Sequence, residues 1–126
     1  MVRSLDDMLT LSAWTRGLSA EHLDRVRAAI VVREFKAGST IFRKGDPARA
    51  WLGVIDGLVK IHSLSPAGKS VTFAGIPAGG WFAEGSVLRG APFKYDTEAL
   101  RDSRIALMPE ATFRWLLDTS IPFNRF

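Results

Sequence analysis

Residues 31–63 read VVREFKAGSTIFRKGDPARAWLGVIDGLVKIHS, and this stretch decides the fold. Before it, apolar residues recur at helical spacing. From Val31 onward they come in short β-prone runs cut by glycine. The runs are 31–35, 40–42, 51–55 and 58–63, and 70–75 continues them. Between them lie Ala37-Gly38, Lys44-Gly45-Asp46-Pro47, Asp56-Gly57 and Pro66-Ala67-Gly68. Many short strands at regular spacing predict an antiparallel sandwich or barrel. Asp56-Gly57, between two apolar runs, predicts a tight hairpin, because a type I′ turn needs positive φ at both central positions.

Upstream, Leu5, Met8, Leu9, Leu11 and Trp14 repeat at helical spacing, and Gly17 ends the run. Ser19 then caps a second helix with Leu23, Val26, Ala29 and Ile30 on one face. Downstream, Gly79-Gly80 leads into Trp81-Phe82, and a short polar stretch begins at Ala83. Two strands follow, over 95–100 and 104–108. Pro109 opens a helix carrying Phe113, Leu116 and Leu117. Ser120 with Pro122 reads as the cap and first turn of another helix, with Ile121, Phe123 and Phe126 as its apolar start. The expected organisation is a single domain over 1–126. Its parts are N-terminal helices (1–30), a β-barrel (31–108), and a C-terminal helix plus the start of a truncated dimerisation helix (109–126).

Composition excludes several classes. At 126 residues the chain fits one domain, and 47% hydrophobic with 24% charged residues is ordinary for a soluble protein. No apolar run approaches the roughly 18 residues of a membrane span. Acids stand where a secretory signal would be apolar, so the expected location is the cytoplasm. There is no cysteine, which removes disulfides, thiolate zinc and cysteine-held iron–sulfur clusters. The two histidines, His22 and His62, are far apart, so neither a metal site nor a Ser-His-Asp arrangement is expected. The net charge of +4 is spread along the chain, a solvated surface with mild attraction for anions.

Gly38-Ser39-Thr40-Ile41-Phe42-Arg43-Lys44-Gly45-Asp46 carries a family pattern: glycine, two residues, two apolar residues, two more, then glycine and an acid. Val54-Ile55-Asp56-Gly57-Leu58-Val59-Lys60-Ile61, Gly68-Lys69 and Gly80-Trp81-Phe82-Ala83-Glu84 follow in order. This series resembles the cyclic-nucleotide-binding domain of Crp/Fnr-type bacterial transcription regulators. The resemblance implies a mainly β fold, an antiparallel double-stranded β-helix of jelly-roll type with flanking helices. It implies a short helix from Ala83 and Glu84 that cradles a phosphate, with Gly85 and Ser86 in the same cassette. The glutamate takes the ribose hydroxyl, and a later arginine takes the phosphate. Ile61 and Phe73 are the implied apolar contacts to the base.

Two positions depart from the family. Ala83 replaces a glycine, so a methyl group hinders close backbone approach. The expected Pro-Arg-Ser/Thr-Ala string reads Pro92-Phe93-Lys94-Tyr95-Asp96, with no arginine. Counting forward from Glu84 puts Lys94 in its place, with Tyr95 beside it. Counting back from Ala99 puts Phe93 there. Lysine keeps the charge but loses the two-pronged hydrogen bonding of guanidinium.

The expected ligand is a small anionic effector, with cyclic AMP or cyclic GMP as the family default, and no metal. The expected partners are DNA, only through a missing C-terminal domain, and a second copy of the full-length protein. The chain is expected not to be an enzyme. One alternative is a degenerate, ligand-free barrel acting as a dimerisation scaffold. A remote one is a cupin-like enzyme, which would need a histidine cluster.

Overall fold

The computed structural model describes residues 4–64, 67–68, 70–120 and 123, with the backbone alone at 64 and 70–73. Two capped helices open the chain. Ser4 Oγ accepts the Asp7 amide at the start of α1 (Leu5–Leu11). Ser19 Oγ accepts the His22 amide at the start of α2 (Ala20–Ala29). Each such cap satisfies an amide that has no partner inside its helix. The first helix is shorter than its apolar period predicts. It stops at Ser12, whose hydroxyl donates to the Met8 carbonyl at 2.6 Å and accepts the Trp81 indole N–H at 2.9 Å. A single 3-10 turn, Ala13–Thr15, then carries Trp14 into the core.

Eight strands follow among the described residues: β1 (Val31–Phe35), β2 (Thr40–Phe42), β3 (Ala50–Asp56), β4 (Leu58–Leu64), β5 (Ser70–Pro77), β6 (Trp81–Phe82), β7 (Asp96–Ala99) and β8 (Ser103–Pro109). They form two four-stranded sheets, ordered β1-β8-β3-β6 and β2-β7-β4-β5, and every pairing is antiparallel. The expected jelly-roll-like β fold with flanking helices is the observed one. Helix α3 (Glu84–Arg89) joins β6 to β7, and α4 (Glu110–Thr119) follows β8. No helix among the described residues is long and apolar enough to cross a membrane.

The Asp56-Gly57 hairpin is corrected. β3 and β4 lie in different sheets, so this turn is a corner between sheets. Gly57 has φ +115°, but Ala83 is the one described non-glycine residue at positive φ, so Asp56 does not make a type I′ turn. The Leu58 amide instead donates to Ser103 Oγ at 3.2 Å. A Cβ on Gly57 would lie 2.7 Å from the Ser103 Cα. The connection that does stay within one sheet is β4 to β5.

Alternation on β3 sends its side chains to two sides of one continuous core. Trp51 and Gly53 pair with Met108 and Ala106 on the face that the helices cover. There Trp51 meets Trp14, Trp81, Phe113 and Phe123 at centroid distances of 4.6–5.8 Å. Offset and edge-on ring pairs of this kind add about 0.5–1.5 kcal/mol each beyond their burial. Leu52 and Val54 pair with Leu107 and Ile105 on the opposite face, toward the barrel lumen. Phe42, Val59, Ile61 and Phe82 belong to the same buried cluster.

Candidate ligand-binding site

The cassette is built on a strained residue. Ala83 holds φ 75° and ψ 12° immediately before α3, and it is buried. A left-handed conformation costs a non-glycine residue roughly 1 kcal/mol, which is the physical reason a glycine suits this position. Helix α3 has only six residues, so its dipole is small. Gly90, at φ 64°, closes it, and the Ala91 amide donates to the Ser86 carbonyl at 3.0 Å. Arg114 of α4 donates to the Val87 carbonyl at 3.2 Å and ties the cassette to the last helix.

Glu84 is the first residue of α3. It is exposed, and its carboxylate has no hydrogen-bond or ion-pair partner among the described residues. Gly85 is half-buried, and Ser86 is buried. Tyr95 is half-buried beside Phe42, with ring centroids 5.9 Å apart. Burial pushes its phenol above the ordinary value, and the Glu84 charge adds to the rise. Glu84 and Tyr95 therefore share one electrostatic neighbourhood, although eleven positions separate them in the chain.

Phe93 and Lys94 go opposite ways. Phe93 is buried and stacks on Phe42 at 3.6 Å between centroids and 14° between planes. Its amide donates to the Asp46 carbonyl, and its own carbonyl accepts the Gly45 amide. The Gly45-Asp46 turn thus clamps it. Lys94 is exposed. Asp96 is also engaged, since its carboxylate accepts the Lys44 amide at 2.8 Å.

Ile61, on β4, is buried and pairs with Thr97 of β7 and Ala74 of β5. Phe73 lies on β5, where the register steps from Ala74 to Thr72 and leaves it unpaired in a bulge. Its side chain is outside the described residues. Thr97 was missed in the sequence. It is fully buried, and its hydroxyl has no partner among the described residues. A period-two reading of 93–99 would have found it, because Phe93, Tyr95, Thr97 and Ala99 alternate inward against Lys94, Asp96 and Glu98.

The two histidines lie on different elements. His22, on α2, sits edge-on to Trp115, whereas His62, on β4, lies 3.9 Å from Glu98. No group of three or more metal-ligating side chains occurs among the described residues.

Comparison with known proteins agrees with this fold. The family model of the cyclic nucleotide-binding domain matches residues 32–120. The transcriptional regulator LdrP of Thermus thermophilus is 30% identical over 81 residues, covering 64% of this chain and 41% of that protein. The sensor domain of the transcriptional regulator DNR from Pseudomonas aeruginosa superposes with a TM-score of 0.87 at 23% identity, over 95% of this chain and 81% of that one. The catabolite activator protein of Thermus thermophilus gives 0.79 at 23% identity, over 90% of this chain and 54% of that one. These two structural likenesses concern the fold. The chain spans less than half the length of LdrP.

Proposed function

We propose, from the premise that this chain belongs to the cyclic nucleotide-binding domain family, that it is the effector-sensing domain of a Crp/Fnr-like transcription regulator. The family is a binding domain and not an enzyme. The ligand we propose is a small anion carrying a hydroxyl-bearing group. The observation that carries this reading is the exposed, unpartnered Glu84 carboxylate beside the Tyr95 phenol. Glu84 accepts a sugar-type hydroxyl. Ala83, Gly85 and Ser86 form the turn beneath it, and Ile61 gives apolar cover. Lys94 supplies positive charge at the mouth. Control of DNA binding belongs to a further domain of a longer protein, which acts as a homodimer in the cytoplasm.

One observation favours a second reading. Phe93, which one of the two motif counts puts at the arginine's position, is buried against Phe42, and this supports a barrel that has lost its effector and serves as a dimerisation scaffold. A thermal-shift panel of cyclic mononucleotides, cyclic dinucleotides and sugar phosphates separates the two. A ligand that binds only the folded state raises the melting temperature by mass action. The sensor reading expects at least one anion to do so at millimolar concentration, with the effect lost in Glu84→Ala. No shift across the panel, or a shift that survives Glu84→Ala, favours the scaffold.

A further inference from the structure

β1 is one edge strand of its sheet and β2 one edge strand of the other, and side chains from both line the seam between them. Register places Val31 and Arg33 on the lumen face of β1, opposite Leu107 and Ile105, yet Val31 is 54% exposed. A half-open cleft of about 140 Å³ lies at this seam. Phe42, Leu52, Phe93 and Leu107 floor it, with Arg33 and Arg49 at the rim. No acidic side chain among the described residues lines it. Neither guanidinium has an ion-pair partner among the described residues.

Two guanidiniums without an ion-pair partner, Arg33 also lying over the Phe35 ring at 5.7 Å, above an aromatic and aliphatic floor suit a ligand with an anionic head and an apolar body. Guanidinium matches a carboxylate through two parallel hydrogen bonds. A dry cavity of about 150 Å³ accepts one benzene ring, so the body is one ring or a short acyl chain. We propose that the β1–β2 cleft is a second binding site, for a small amphipathic carboxylate. It is distinct from the Glu84 cassette, whose proposed residues lie on α3, on β4 and just before β7. The two sites share Phe93, whose ring floors this cleft and whose backbone leads into Lys94 and Tyr95.

The test is calorimetric titration of the protein with benzoate, hexanoate, neutral benzamide and inorganic phosphate. Benzoate or hexanoate should bind saturably with Kd near or below about 1 mM, and the stronger of the two names aromatic or acyl acids as the source. Benzamide and phosphate should bind at least roughly tenfold more weakly, since each lacks one half of the recognition. Arg33→Gln and Arg49→Gln should each weaken the carboxylate roughly tenfold at an unchanged melting temperature, both side chains being exposed. Glu84→Ala should leave it unchanged. Absence of saturable binding, equal binding of benzamide or phosphate, indifference to the arginine variants, or loss of binding in Glu84→Ala would each overturn the proposal.

Discussion

Tyr95 is the single tyrosine of the chain, so its titration can be followed without interference from another phenol. Burial is the larger cause of its raised pKa, and the Glu84 carboxylate is the smaller. Glu84→Gln should therefore lower the value part of the way toward the ordinary phenol range near 10. Alkaline ultraviolet difference spectra of wild type and variant measure this, and identical midpoints would place Glu84 out of reach of Tyr95. A raised pKa means that the folded state holds the proton more tightly. The resulting stability is complete below about pH 10 and is lost as pH rises through the folded value. The one-residue ambiguity between Phe93 and Lys94 belongs to this scale too. Motif spacing gave two counts because the loop length between Glu84 and Ala99 is free to vary. The alternation Phe-Lys-Tyr-Asp-Thr-Glu-Ala held the information that side-chain direction, not residue count, decides which group faces inward.

Among the elements, Gly57 marks how far local chemistry reads. Asp-Gly reported a sharp turn and a positive φ on the glycine, and that much is local. Which sheet the next strand joins depends on Ser103, 46 positions later, and no turn residue encodes it. The glycine is more constrained at this corner than in a hairpin, because positive φ and the approach of Ser103 both exclude a side chain. Gly57→Ala should cost at least about 2 kcal/mol, from conformational strain plus overpacking. Urea unfolding reads this as a lower midpoint at constant m. An unchanged midpoint would mean that the corner relaxes freely. The end of α1 at Ser12 was hidden for a similar reason, since the apolar period runs on through Trp14 while a tertiary hydrogen bond from Trp81 holds Ser12 outside the helix.

The whole molecule was legible because its glycines stand at corners that every barrel of this type needs, whatever ligand it takes. The ligand was not, because affinity depends on a few side chains whose directions are set by packing. The apolar start at Ile121, Phe123 and Phe126, expected to pair with a second copy, falls largely outside the described residues. Only Phe123 is placed, and it packs among Trp14, Trp51 and Phe113. The central claim is that this barrel keeps the family fold and, with no arginine in Pro92-Phe93-Lys94-Tyr95-Asp96, binds cyclic nucleotides weakly. An arginine–phosphate fork supplies two charge-assisted hydrogen bonds of roughly 1.5–3 kcal/mol each. With a buried Phe93 and one exposed lysine in this stretch, binding is expected to be about ten- to a hundredfold weaker, at about 1.4 kcal/mol per factor of ten. Titration calorimetry with cyclic AMP and cyclic GMP measures this directly. The account predicts dissociation constants no better than high micromolar for both, and low-micromolar binding that disappears in Glu84→Ala would contradict it.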